Sequence, residues 1–158
     1  MSSRRHARIL ALQCLFANEF LKEDPDTIVT RISESLNEKI GDFTLQLVMQ
    51  TAEHEDKLDI LIKEHLRNWE YKRISIFDRV VIKMAIAEML YFPDIPVEVT
   101  INEALEISKG FCNLKSCRFI NGMLDSIYKK LTKTKQIQKD ISVKVSTLQK
   151  NNPSKTGD

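Results

Sequence analysis

The sequence predicts an all-α protein of about seven helices, divided into two helical subdomains. Three observations lead to this fold class. Apolar residues recur at the three- and four-residue spacing of amphipathic helices along most of residues 1–131. No segment of useful length alternates apolar and polar residues as a strand would. Glycine and proline number only four each in 158 residues, which favours long helices joined by short turns.

The first predicted helix begins after a serine cap, Ser2 or Ser3, and carries an apolar stripe. That stripe consists of Ile9, Leu12, Leu15, Phe16 and Phe20. Arg4, Arg5 and Arg8 occupy its first turn and a half, where the helix dipole favours acidic residues. This placement brings no evident structural gain and therefore indicates function. The alternative is that exposed arginines here cost only a few tenths of a kcal/mol, roughly, and need no explanation.

Two further helices and a connector are predicted between residues 24 and 74. Asp24-Pro25-Asp26 ends the first helix and caps a shorter one. Gly41-Asp42 then begins one long helical pattern that continues to about Trp69. Residues 70–74 form the connector, so three helices precede it. The predicted subdomains are residues 1–69 and residues 75–131, approximately.

The next segment is predicted to be the central and most buried helix. Ser75-x-x-Asp78 is a variant of the capping box, with Asp in place of the usual Glu. Apolar residues then occur nearly all round the helix as far as Tyr91, as expected for a helix surrounded by others. Asp78, Arg79 and Lys83 are its polar exceptions near the N-terminal end.

Two more helices complete the predicted core. The prolines in residues 92–96 exclude helix there. Thr100-x-x-Glu103 forms a second predicted capping box, and Gly110 is expected to close that helix in a left-handed conformation. Ser116 is expected to cap the last helix. Gly122 lies inside this helix, where glycine costs about 1 kcal/mol, so we expect a close helix crossing there.

Residues 132–158 are predicted to be a basic, disordered tail, within which residues 141–148 have a weak apolar period. Residues 129–158 carry a net charge of +6 and residues 1–8 carry +3, whereas residues 9–128 carry −7. Positive charge at both ends of an acidic body fits contact with a polyanion. We expect the tail to add nonspecific phosphate contacts, although a lysine-rich tail is often simply solvated.

Composition argues against several functional classes. Cys14, Cys112 and Cys117 are odd in number and have no C-x-x-C spacing, so neither a disulfide framework nor a zinc site is expected. The sequence contains no phosphate-binding glycine loop, nucleophile elbow or zinc-protease motif. We therefore expect no catalytic residue, no cofactor and no metal. Without an apolar signal segment or a run of roughly 20 apolar residues, a cytoplasmic protein with no membrane association is expected.

Two basic clusters are candidates for nucleic-acid binding. The first consists of Arg4, Arg5, His6 and Arg8, and the second of Lys115, Arg118, Phe119 and Asn121. Arginine and lysine neutralise phosphates, phenylalanine stacks on an unpaired base, and asparagine can hydrogen-bond a base edge. The clusters form one site only if the first and last helices begin on the same side. Periodicity alone favours Phe119 as a core residue.

Several motifs resemble the NusB family of bacterial transcription antitermination factors, in family order over about residues 4–131. The matching stretches are Arg4-Arg5-x-Ala7-Arg8 with Ala11-Leu12-Gln13-x-Leu15-Phe16, Phe43-x-x-x-Leu47-Val48, Asp78-Arg79 leading to Met84-Ala85-x-Ala87-Glu88-Met89-Leu90, Asp94-Ile95-Pro96 with Val99-x-Ile101-Asn102-Glu103-Ala104, and Phe119-Ile120-Asn121-Gly122-Met123-Leu124-Asp125. Ile-Asn-Glu-Ala and Phe-x-Asn-Gly-x-Leu-Asp are specific in combination and weak separately.

The resemblance implies an all-helical fold of two small helical bundles. It also implies a protein that binds single-stranded boxA-type RNA together with the ribosomal protein NusE. In that family the complex joins RNA polymerase during ribosomal RNA transcription. By position, both basic clusters match RNA-contacting segments of the family. Phe16, Asp78 and Arg79 match the NusE-facing surface, whereas Asn102 and Glu103 are assigned mainly to capping and bracing.

A helical protein–protein adaptor with weak or no RNA binding is the alternative function. The sequence leaves open whether the protein is a monomer or a homodimer.

Overall fold

The computed structural model describes residues 3–66 and 71–140. Within these ranges there are seven α-helices, one short 3₁₀ helix and no strand, which confirms the all-α prediction. The elements are α1 (Arg4–Leu21), α2 (Pro25–Leu36), α3 (Asp42–Glu53), α4 (Glu55–Glu64), the 3₁₀ turn Tyr71–Arg73, α5 (Ile76–Tyr91), α6 (Val97–Lys109) and α7 (Leu114–Lys133). No helix in the described ranges is both long and apolar enough to cross a bilayer.

Helix α5 is the centre of the fold, as its all-round apolar pattern predicts. It contacts α1, α3, α4, α6 and α7, so it packs against both predicted subdomains. Every residue from Val80 to Met89 is buried. Ser75 caps the helix, because its hydroxyl oxygen accepts the backbone N–H of Asp78 at 3.1 Å. Burial of this helix from all sides explains why it needs so few polar residues.

The prediction of a single long helix from residue 43 to about Trp69 is wrong. The helical path breaks at His54, whose φ of −109° and ψ of 21° end α3 and begin α4. There the His54 ring stacks on Tyr91 at 4.0 Å and its Nδ1 lies 2.9 Å from the Gln50 carbonyl oxygen. The break makes four helices, not three, before the connector. Helix α4 ends at Glu64, and Trp69 lies outside the described residues.

Three predicted helix ends are also corrected. Helix α6 begins at Val97 after Pro96, so Thr100 lies inside the helix and does not cap it. Gly110 has a φ of −78° and a ψ of −15°, a right-handed conformation, not a left-handed one. Asn113, not Ser116, caps α7, and its side chain accepts the Ser116 N–H at 2.9 Å. Gly110 nevertheless closes α6 as predicted, so only its conformation differs. The errors at the starts of α6 and α7 arise because several adjacent residues can cap the same helix.

The close crossing expected at Gly122 is absent. Gly122 is exposed, and a Cβ placed on it would have no neighbouring atom within 4 Å. The predicted tail boundary also differs from the structure. Helix α7 continues to Lys133, and residues 134–140 return to contact the body near Pro93. Residues 141–158, including the weak period at 141–148, lie outside the described residues.

Candidate nucleic-acid interface

Arg5 joins the two predicted basic clusters on one side of the molecule. It lines a groove of about 590 Å³ together with Arg4 and with Arg8. It also lines a neighbouring groove of about 460 Å³ together with Arg118 and Asn121. The first and last core helices therefore present these residues to one continuous region. The sequence alone did not show whether these two helices begin on the same side.

Arg5 is held in a defined position by an acidic partner on α6. Its Nε and one terminal nitrogen donate to Glu103 at 2.8 and 3.1 Å. This hydrogen bonding raises the pKa of Arg5 and lowers the pKa of Glu103. A guanidinium has five N–H donors, so three remain for another anion. Glu103 thus orients Arg5 without exhausting its capacity to bind a phosphate.

Arg4 is placed at the outer edge of the first groove. Its guanidinium lies 4.8 Å from the centre of the Phe43 ring, and one of its nitrogens lies 3.6 Å from an Asp94 oxygen. Both members of this ion pair are more than half exposed. Such an exposed pair contributes at most about 1 kcal/mol, so a phosphate can compete for Arg4.

Arg8 does not project to solvent, and this part of the prediction is wrong. Only 3% of the residue is exposed. Its guanidinium donates to the buried Glu88 carboxylate at 2.5 and 3.0 Å, and Thr100 donates to the same carboxylate at 3.0 Å. The arginine-rich start of α1 therefore has a structural gain that the sequence did not reveal, namely a buried link between α1, α5 and α6.

The remaining residues predicted to contact RNA differ in their solvent exposure and in their pairing. Lys115, Arg118 and Asn121 are exposed on α7, whereas Phe119 is half-buried against the core, as its periodicity predicts. His6 is paired with Glu38, at the end of α2. Arg118 and Asn121 share a groove with Arg5, but Lys115 is not part of its lining.

Two residues of this groove were missed as ligand contacts by the sequence analysis. Asn102 and Lys109 line it from the exposed face of α6, opposite Arg118. Lys109 donates to Glu106 at 2.8 Å, three residues earlier. The signal was their spacing, because residues 102 and 109 are seven apart and therefore lie on the same helical face. Asn102 adds a second carboxamide to the one supplied by Asn121.

Comparison with known proteins identifies the family. The model of the NusB family matches residues 5–129. The chain belongs to the NusB family. The transcription antitermination protein NusB of Bacillus pumilus is 42% identical over 125 residues, which cover 78% of this chain and 93% of that protein. The NusB of Chloroherpeton thalassium is 40% identical over 129 residues, and the match covers 80% of this chain and 61% of that longer protein.

Solved NusB structures share the fold. T. maritima NusB is 36% identical, with a TM-score of 0.73, over 81% of this chain and 92% of that one. A crystal structure of the antitermination factors NusB and NusE in complex with dsRNA matches with a TM-score of 0.73 over 80% of this chain and 96% of the other. At 24% identity, that likeness concerns the fold alone.

In this NusB family member, the predicted partner residues are unequally exposed. Phe16 is 38% exposed and packs edge-to-face on Phe20 at 5.6 Å. Asp78 is buried, and burial raises its pKa even though hydrogen bonds from Ser75 and Ser116 act in the opposite direction. Arg79 is half-buried, with its guanidinium 5.0 Å from the centre of the Tyr71 ring. Only Phe16 therefore presents a large side chain at the surface.

A second group of exposed apolar side chains surrounds the start of α5 and α7. Phe77 packs on Phe111 with ring centroids 5.5 Å apart. Phe111 is 58% exposed and Leu114 is 66% exposed. Phe77, Phe111 and Leu114 form what we call the apolar face. It lies next to Asp78, because Cys112 in the α6–α7 turn contacts the Asp78 carboxylate. Local sequence patterns do not reveal this face, because Phe111 and Leu114 flank a predicted helix boundary.

Proposed function

We propose that this protein is a transcription antitermination factor that binds single-stranded boxA-type RNA together with the ribosomal protein NusE during ribosomal RNA transcription. The observation that carries the proposal is the position of Arg5, which lines one groove with Arg4 and the next with Arg118 and Asn121. The protein acts by binding and not by catalysis, as part of the RNA polymerase antitermination complex. Its place is the cytoplasm, where that complex works.

The grooves suit single-stranded RNA because they combine separated cations with side-chain amides. Arg4, Arg5 and Arg118 neutralise backbone phosphates and release counterions, which provides affinity without regard to sequence. Asn102 and Asn121 carry both a donor and an acceptor, so each can pair with an unstacked base edge. The bases of single-stranded RNA are unpaired, so they can enter the grooves without opening a duplex first.

Fewer residues are proposed to contact RNA directly than the two basic clusters contain. Arg4, Arg5, Arg118 and Asn121 contact RNA directly, with His6, Lys115 and Phe119 at the margins. Arg8 acts indirectly, because its hydrogen bonds to Glu88 fix the start of α1 relative to α5.

The NusE surface is proposed to consist of Phe16 and the apolar face, with Asp78 and Arg79 supporting it from beneath. Aromatic side chains are enriched at interface centres, and exposed apolar patches mark protein–protein interaction sites. The solved complex of NusB and NusE with dsRNA is consistent with a related fold serving both ligands.

Fluorescence anisotropy of a labelled boxA-like RNA, with and without NusE and at two salt concentrations, tests the proposal. Binding should strengthen with NusE and weaken when Arg4 and Arg5 are both replaced by alanine. Lys57→Ala, which removes an exposed cation on α4, is the matched control and should leave RNA binding unchanged. Capture of NusE by a protein that binds no RNA in either condition would favour the adaptor function.

A further inference from the structure

Residues 134–140 form a segment, here called the strap, that leads from the end of α7 back to the end of α5. Lys135 adopts a left-handed conformation with a φ of 58°, and the Gln136 N–H donates to the Leu131 carbonyl at 2.9 Å. Five residues after Lys135, the Asp140 N–H donates to the Pro93 carbonyl at 2.7 Å. The strap is therefore attached at both ends.

Lys139 makes the main side-chain attachment of the strap. Its Nζ donates to the carbonyl oxygens of Phe92 at 2.8 Å and of Glu88 at 3.2 Å. These carbonyls belong to the last turn of α5 and the residue that ends it. Each carbonyl also accepts a backbone N–H, Glu88 from Phe92 at 3.2 Å and Phe92 from Ile95 at 3.1 Å. The end of a helix carries partial negative charge, so an ammonium group there is favourable.

Two short routes connect this attachment with Arg4. The Phe92 ring packs edge-to-face on Phe43 at 5.5 Å, and the Phe43 ring lies 4.8 Å from the Arg4 guanidinium. The second route is the turn after Phe92, because Asp94 is paired with Arg4 at 3.6 Å. Both routes begin at the residue whose carbonyl Lys139 holds.

The charges around Lys139 favour its protonated form, while burial opposes it. Burial lowers the pKa of Lys139 to about 8, although the negative charges of Glu88, Asp94 and Glu98 act in the other direction. Glu88 is already neutralised by Arg8. Loss of the Lys139 ammonium charge would therefore remove the positive charge that balances Asp94 and Glu98. Of these carboxylates, Asp94 is paired with Arg4, which is proposed to contact RNA.

We propose that Lys139 is a positioning residue for RNA binding, which fixes the turn from Phe92 to Asp94 and thereby the location of Arg4. The inference rests on the proposed RNA-binding function. It assigns a role to a segment that the sequence analysis placed in a disordered tail and that lies beyond the part matched by the family model, residues 5–129.

The test uses the full-length protein with Lys139→Met, Lys139→Arg and, as the matched control, Lys57→Met. Lys57 is exposed on α4, so its replacement removes the same charge at a site outside the strap and the basic tail. Lys139→Met should weaken boxA-like RNA binding by about threefold to tenfold, the range expected for one charged helix-end contact. NusE binding should not change, and Lys139→Arg should restore most of the RNA affinity.

A pH series separates positioning from a general loss of stability. The affinity ratio between wild type and Lys139→Met should be largest at pH 7 and should shrink towards pH 9, as the wild-type amine loses its charge. The ratio between Lys139→Arg and Lys139→Met should stay constant. Equal RNA binding by wild type and Lys139→Met, or an equal loss in Lys57→Met, would overturn this inference while leaving the proposed function intact. Failure of the wild-type protein to bind RNA would overturn the proposed function as well.

Discussion

Replacing Arg8 with methionine distinguishes a structural role for this arginine from direct RNA contact. The change leaves the Glu88 carboxylate, of which 2% is exposed, without its cationic partner. Removing one member of a buried ion pair costs about 3–5 kcal/mol, because the other charge stays desolvated. Thr100 still donates to Glu88, which favours the lower end of this range. At about 3–5 °C per kcal/mol for a domain of this size, the melting temperature should fall by ~10–15 °C.

Thermal unfolding followed by circular dichroism measures this effect, and Arg5→Met is the matched control. Arg5 and its ion pair are exposed, so its loss should change stability by less than about 1 kcal/mol. RNA binding, measured well below the melting temperature, should show the reverse order, with the larger loss in Arg5→Met. Arg8→Met combined with Glu88→Leu should recover part of the lost stability, because no unpaired charge remains. A stable Arg8→Met protein that no longer binds RNA would refute the structural reading.

Other perturbations address the tail, the buried lysine and the apolar face. Truncation after Asp140 keeps the strap but removes three lysines. The slope of log RNA affinity against log salt concentration should then become shallower by at most about 2. An unchanged slope would exclude phosphate contact by the tail. Lys83→Met should destabilise the protein by several kcal/mol, roughly, since Glu19, Glu55 and Asp59 lose their shared cation, and urea unfolding would show this. Burial alone would lower the pKa of Lys83, but the hydrogen bonds that its ammonium group donates to Asp59 and Tyr71 raise the pKa above the ordinary value. This contribution should therefore be present at neutral pH and lost only at strongly alkaline pH. Leu114→Ser should weaken NusE binding in a titration while leaving stability and RNA binding unchanged. Ile60→Ser, at another exposed apolar site on α4, should leave NusE binding intact.

The sequence was sufficient for the all-α class and for the central position of α5, because amphipathic spacing is a local signal. It failed at His54, where apolar spacing continues through the break and the cause is a stacking partner on α5, Tyr91. It failed at Arg8 for a related reason. Glu88 is 80 residues away, and no local pattern shows that these two side chains meet inside the core.

The sequence predicted which residues belong to the candidate site but not how the fold brings them together. Arg5 and Arg118 were both identified, yet their shared groove depends on how α1, α6 and α7 pack. Asn102 was assigned to bracing because its neighbours resemble a cap, whereas the helix actually begins five residues earlier, at Val97. Positions that depend on long-range packing are the ones that a single sequence leaves undetermined.

The central helix has a consequence for how two ligands would be held. Helix α5 runs from the neighbourhood of Asp78 to Phe92, a length of roughly 24 Å for its 16 residues. Because it is enclosed by five other helices, it has little freedom to bend or slide. The apolar face near one end and Arg4 near the other therefore keep a constant separation. A protein and an RNA bound at these places would meet in one fixed geometry, without the entropic penalty of ordering a flexible linker between them.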